Sequence, residues 1–142
     1  MRLLWLRHGQ STWNALGRLQ GHTPHPPLTE LGRQQAADAA DQVAVLGARR
    51  IVSSPAVRAR QTAVVVAARL GLPVHLDPRL VEQGLREDHA STLRRVSALV
   101  AELDPTQTTL LVTHGDVIAL ATGLGRCPGN GEVVAGEPLG LR

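Results

Sequence analysis

Two short apolar runs constrain this chain more than any other feature, because both end in the same polar signal. Leu3-Leu4-Trp5-Leu6 leads into Arg7-His8-Gly9, and Leu110-Leu111-Val112 leads into Thr113-His114-Gly115. An apolar run of this length bounded by a turn signal reads as a buried strand, which puts each histidine at a strand's C-terminal tip. The glycine after it lets the backbone turn and approach a ligand closely. In open α/β sheets, ligands bind outside the carboxyl ends of the strands. If the two strands are parallel neighbours, His8 and His114 meet at one edge.

Between and after these strands the chain alternates. Residues 10–27 are polar and rich in glycine, proline and histidine, and read as a long loop. Its start, Gln10 to Asn14, is placed to offer backbone N–H groups and an amide to an anion. Thr29 is an N-cap candidate, and Leu31, Ala36, Ala39 or Ala40, Val43 and Leu46 keep helical spacing up to Gly47. Arg50 to Ser53 is a second strand. A helix follows from Ala56 to Leu70, with Arg58 and Arg60 in its first turn and an apolar stretch, Ala63 to Ala68, expected to be buried throughout.

Val74 to Leu76 reads as a third strand, Arg79 to Asp88 as a charged connection and Ser91 to Leu103 as an amphipathic helix. Asp116 to Leu124 is a short helix and Glu132 to Ala135 an edge strand. Strands alternating with helices predict a three-layer α/β sandwich, a mostly parallel sheet with helices on both faces.

The length of 142 residues fits a single domain over 1–142. All 15 basic residues are arginine, so the sequence pI near 10.9 overstates a net charge of only +3. That balance suits a small anionic substrate. No basic run with interleaved aromatics points to nucleic acid, and no apolar stretch points to a membrane or a signal peptide. The lone cysteine, Cys127, suggests a reducing, cytoplasmic setting. His22 and His25 lack a third ligand and read as a solvated loop, so no metal is expected; His75 and His89 read as surface residues. The apolar content allows a dimer.

Arginine is suited to bidentate, permanently charged recognition of phosphate, and a histidine with a bare ring nitrogen can attack phosphorus. These residues amount to a resemblance. Leu6-Arg7-His8-Gly9, Trp13-Asn14, Gly17-Arg18, Gln20-Gly21, Pro27 to Gly32 and Gln35-Ala36 resemble the histidine phosphatase superfamily. So do Ser53-Ser54-Pro55, Arg58 to Ala63, Arg79 to Glu82 and Thr113-His114-Gly115. The resemblance implies a phosphoglycerate mutase-like fold and a phosphomonoester hydrolase that needs no cofactor. It makes His8 the phosphorylated nucleophile and gives the phosphate pocket to Arg7, Arg58 and His114. It assigns substrate contacts to Asn14, Gln20 and Gly21, with Gly115 beside His114, and makes Glu82 the proton donor and later the base.

Phosphoglycerate mutases of the family carry a long segment after the equivalent of Glu82, with a tyrosine and a lysine. This chain contains neither residue, and only four residues separate Glu82 from Glu87. Most of the cap is therefore absent. That implies an open site, favours hydrolysis over mutase turnover, and leaves Glu87 as a second candidate acid. A small phosphorylated metabolite or a phosphoprotein is the expected partner. The alternatives are a cofactor-dependent phosphoglycerate mutase, a protein phosphohistidine phosphatase and a pseudo-enzyme that binds a phosphorylated ligand.

Overall fold

Alternation of side chains across a strand sends neighbouring residues to opposite faces, and strand β1 (Arg2–Arg7) obeys this rule closely. Leu4 and Leu6 join one buried cluster, with Leu110, Val112 and Ile51. Leu3 and Trp5 join another, with Leu111 and Val52. The computed structural model, which describes residues 2–18 and 26–138, places these strands in one five-stranded sheet. The remaining strands are β2 (Arg50–Ser53), β3 (Val74–Leu76), β4 (Thr108–Thr113) and β5 (Val133–Ala135), and the spatial order is β3-β2-β4-β1-β5. The first four run parallel and β5 is antiparallel to β1.

Helices α2 (Glu30–Val45) and α3 (Val57–Leu70) cover the Leu4 face, and α4 (His89–Ala101) and α5 (Gly115–Thr122) cover the Leu3 face. The expected three-layer sandwich with a mostly parallel sheet is what forms. β1 and β4 pair in register, Arg7 opposite Thr113. The chain leaves β1 toward α2 on one face and leaves β4 toward α5 on the other. Their shared carboxyl end is therefore a topological switch point, where α/β sheets open a crevice.

Helix α2 begins where Thr29 Oγ1 accepts the Gly32 N–H at 3.0 Å. Its inner face is Gly32, Ala36, Ala39, Ala40 and Val43, whereas Leu31, expected inside, is 52% exposed. Gly32 takes the inward position because the backbone after β1 lies on it. A Cβ at Gly32 would collide with the Gln10 carbonyl, and one at Gly9 would collide with the Gly32 carbonyl. In α3 the apolar stretch is likewise only half buried. Ala63, Val66 and Ala67 pack on the sheet and Val64 faces solvent, since a helix on an outer layer has an outside.

Residues 10–27 are not wholly loop. Thr12–Ala15 form one helical turn, α1, capped by Ser11 and Asn14 reciprocally. The connection after β3 contains a 3₁₀ turn, Pro78–Leu80, with Asp77 capping the Arg79 N–H at 2.9 Å. Asp88 then caps α4 through the Ser91 N–H at 2.7 Å. Among the described residues, no helix is long and apolar enough to cross a membrane.

Candidate active site

His8 and His114 follow directly on the paired ends of β1 and β4, and their rings meet edge to face with centroids 5.2 Å apart. Both are buried, His8 at 1% exposure and His114 at 0%. The His8 Nδ1 lies 2.7 Å from the Gly9 carbonyl oxygen, which can only accept, so Nδ1 carries the proton. Nε2 keeps its lone pair. Burial, reinforced by Arg58 and Arg7 and opposed by the Gly9 bond, pulls the His8 pKa down to about 3. The ring is therefore neutral and nucleophilic at neutral pH.

The loop that holds His8 is tied to α3. The Gly9 N–H donates to Thr62 Oγ1 at 3.0 Å, and that hydroxyl donates to the Arg58 carbonyl at 2.8 Å. Thr62 thus fixes the His8 loop against the turn that presents Arg58. Arg58 itself is fully buried, with Nη2 3.6 Å from Glu82 Oε1. Burial lowers its pKa and Glu82 opposes the shift, yet a guanidinium keeps its proton.

His114 is oriented by Ser54. Ser54 Oγ accepts the Ala56 N–H at 3.3 Å and lies 2.9 Å from His114 Nε2. His114 Nδ1, a buried atom with no hydrogen-bond partner among the described residues, faces Glu82 Oε1 at 3.6 Å; with the proton on Nδ1, the Ser54 hydroxyl donates to Nε2. Burial first, then His8, Arg58 and Arg7, hold His114 well below the usual histidine pKa. Arg7 donates through Nη1 to the Pro128 carbonyl at 2.8 Å, and its buried Nε also lacks a partner among the described residues. A Cβ at Gly115 would collide with Cys127 Sγ and stand 3.3 Å from the Arg7 side chain, so a side chain there crowds both.

Five of the residues singled out in sequence, Arg7, His8, Arg58, Glu82 and His114, thus converge. Glu87 does not. It forms a paired salt bridge with Arg95, Nε to Oε2 and Nη2 to Oε1 both at 2.8 Å, which pulls its pKa down to about 2 and keeps it ionised. A carboxylate so held is no proton donor near neutral pH. Gln20, Gly21, His22 and His25 lie outside the described residues.

Asn14 spends its carbonyl oxygen on the Ser11 N–H at 3.0 Å and on the Asn130 amide at 3.3 Å. The backbone N–H groups of Gln10, Ser11, Thr12 and Asn14, expected to face an anion, are already bonded to Gln35, Asn14, Pro27 and Ser11. The cap of α1 and the pairing with Pro27 claim them first. His75 and His89 are exposed, as is Cys127. Among the described residues, no group of three or more His, Cys, Asp or Glu could hold a metal ion.

Leu85, in the short loop after Glu82, is 96% exposed, whereas His8, Arg58 and His114 are buried. A strap from Cys127 to Gly131 accounts for part of this. Asn130 donates to the His8 carbonyl at 3.2 Å, and the Gly131 N–H reaches the Arg7 carbonyl at 3.0 Å. Ser54, Thr62, Asn130 and Arg95 went unrecognised in sequence as site residues. Ser54 and Thr62 stand within the quoted motifs, whereas Asn130 acts across 122 positions and leaves no local signal.

A profile of the histidine phosphatase superfamily (branch 1) matches residues 3–92, which include His8, Arg58 and Glu82. The chain belongs to the histidine phosphatase superfamily. It is 43% identical over 97 residues to a glucosyl-3-phosphoglycerate phosphatase of Mycolicibacterium vanbaalenii, covering 68% of this chain and 43% of the relative. It is 40% identical over 82 residues to a probable phosphoglycerate mutase GpmB of Enterobacter sp. (strain 638), covering 58% and 38%. The chain spans about two fifths of the length of these curated relatives.

Solved structures of superfamily proteins resemble it over most of their length. A mycobacterial glucosyl-3-phosphoglycerate phosphatase in complex with VO3 superposes with a TM-score of 0.85 at 29% identity, covering 94% of this chain and 90% of the other. A phosphoglycerate mutase from Thermus thermophilus gives 0.75 at 28% identity, covering 95% and 92%.

Proposed function

We propose that this chain hydrolyses phosphomonoesters through a phosphohistidine on His8 Nε2, without metal or organic cofactor. The observation that carries the reading is the bond from His8 Nδ1 to the Gly9 carbonyl, which frees Nε2 for attack. The nitrogen lone pair bonds to phosphorus while the ester P–O bond breaks. Arg7 Nε and His114 Nδ1 are buried donors without a hydrogen-bond partner among the described residues. Together with the Arg58 guanidinium they take the equatorial phosphoryl oxygens. Fixed cationic donors supply the charge stabilisation that phosphoryl transfer needs.

Glu82 donates its proton to the leaving oxygen and then takes one from the water that attacks phosphorus, breaking the P–N bond and releasing phosphate. Its Oε1 stands 3.6 Å from both Arg58 and His114, where a phosphoryl oxygen would bind. An arriving dianion displaces it from those partners, and the phosphate's like charge disfavours an ionised carboxylate beside it.

The similar proteins support this reading, one of them a phosphatase solved with inorganic phosphate. One is a probable phosphoglycerate mutase and another a glucosyl-3-phosphoglycerate phosphatase. A substrate panel for this chain therefore begins with phosphoglycerate esters and extends to other small phosphometabolites and to phosphoprotein. The decisive assay is phosphate release from p-nitrophenyl phosphate with excess chelator. Release by the wild type and none by His8→Ala supports the proposal, and equal release by both rejects it. The GpmB likeness favours a second reading, phosphoglycerate mutase, which requires bisphosphate-dependent interconversion of 3- and 2-phosphoglycerate in excess of phosphate release.

A further inference from the structure

Four oxygens in and around the short loop that carries Glu82 are held by one side chain. Arg95, on α4, donates to both Glu87 oxygens, to the Arg79 carbonyl at 2.6 Å and to the Glu82 carbonyl itself at 3.3 Å. Glu87 returns toward the loop. Its Oε1 accepts the Gly84 N–H at 3.2 Å, and its carbonyl accepts the Gln83 amide at 2.7 Å. The N–H of Gln83 is fixed from the far side by Asp116 Oδ2 at 3.2 Å. The Arg95–Glu87 pair is mostly shielded, with side-chain exposures of 17% and 21%.

We propose that Arg95, braced by Glu87, is a positioning residue that holds the Glu82 carboxylate over the phosphoryl site in place of a cap. The inference rests on Glu82 as acid and base. Every nitrogen of the Arg95 guanidinium donates within the loop, and four of its five N–H groups are spent there, so its charge and geometry serve the loop first. Its planar fork satisfies a carboxylate and two carbonyls at once, and a lysine ammonium, a point donor on a flexible stem, does not. Lysine at this position keeps the charge and loses the geometry.

The test compares wild type, Arg95→Lys, Glu87→Gln, Glu82→Gln and the double variant Arg95→Lys/Glu82→Gln. The readouts are rapid-quench formation of phosphohistidine from glycerol phosphate and from p-nitrophenyl phosphate, with KM for each. Misplacing an acid costs most where the leaving oxygen needs a proton. Arg95→Lys should slow phosphorylation from the alkyl ester about ten- to a hundredfold and leave the aryl burst within about twofold. Glu87→Gln, which keeps an acceptor for Gly84, should show the same selectivity with a smaller loss. The double variant should be no slower than Glu82→Gln alone.

Losses in Arg95→Lys that fall equally on both esters, or that multiply with Glu82→Gln, would mean a general structural role and overturn the proposal. Full alkyl activity in Arg95→Lys would overturn it too. If Glu82→Gln itself shows no alkyl-selective loss, the acid assignment fails first and the positioning role falls with it.

Discussion

Lowering the pH from 7 to 5 should destabilise the wild type more than a His8→Asn variant. Burial keeps His8 neutral until about pH 3, whereas the unfolded chain takes up that proton near 6.5. Between those values the unfolded state binds more protons, so stability falls as pH drops. At pH 5 the unfolded ring lies about 1.5 units below its pKa, which at about 1.4 kcal/mol per unit favours unfolding by about 2 kcal/mol. Asparagine removes the titration and keeps a donor for the Gly9 carbonyl. His114 is present in both proteins and is held down first by burial in each, so most of its contribution cancels in the difference. Urea unfolding at pH 5, 6 and 7, in buffer free of phosphate and sulfate, measures it directly. A bound oxyanion would favour the protonated ring and hide the effect. Curves that fall in parallel, within about 0.5 kcal/mol, would refute the buried neutral histidine.

Three other substitutions follow from the same geometry. Glu82→Gln should slow turnover of alkyl phosphates about a hundredfold or more, with a much smaller effect on the phosphorylation burst from aryl esters, measured by rapid quench. Thr62→Val leaves the Gly9 N–H without its acceptor and should cost about 1–3 kcal/mol in urea unfolding, together with a loss of phosphatase rate. Gly115→Ala drives a methyl group at Cys127 and Arg7; vanadate should bind it several-fold more weakly in an inhibition assay, while Gly125→Ala, where a Cβ meets open space, should leave inhibition unchanged.

The parts of this molecule that follow local rules were legible in the sequence. β1 and β4 declared themselves by apolar runs ending at His8 and His114, and the alternation of strands and helices implied a mostly parallel sheet, though not that these two strands are neighbours. Thr29 and Gly47 marked the two ends of α2 because capping is written in one or two residues. Helix α1 was missed because a single turn has no periodicity, and its cap pairs Ser11 with Asn14 rather than with a glutamate. Leu31 was misplaced because spacing alone does not reveal that Gly32 must face the Gln10 carbonyl.

The supporting contacts were harder still. Nothing near Glu87 announces that Arg95 captures it, and that capture is what separates Glu87 from Glu82. The amide of Asn130 and the hydroxyl of Ser54 act through distances of 122 and 60 positions, which only the folded chain brings together. Motif reading thus found the residues proposed to touch phosphate and missed those that aim them.

The most direct test of the proposed mechanism is to quench the enzyme within milliseconds of mixing it with a labelled phosphomonoester and map the acid-labile phosphate. The expected product is a phosphohistidine at His8, formed and discharged at the rate of turnover and absent from His8→Ala. Label on any other residue, or turnover with no phosphoenzyme on His8, would contradict the mechanism.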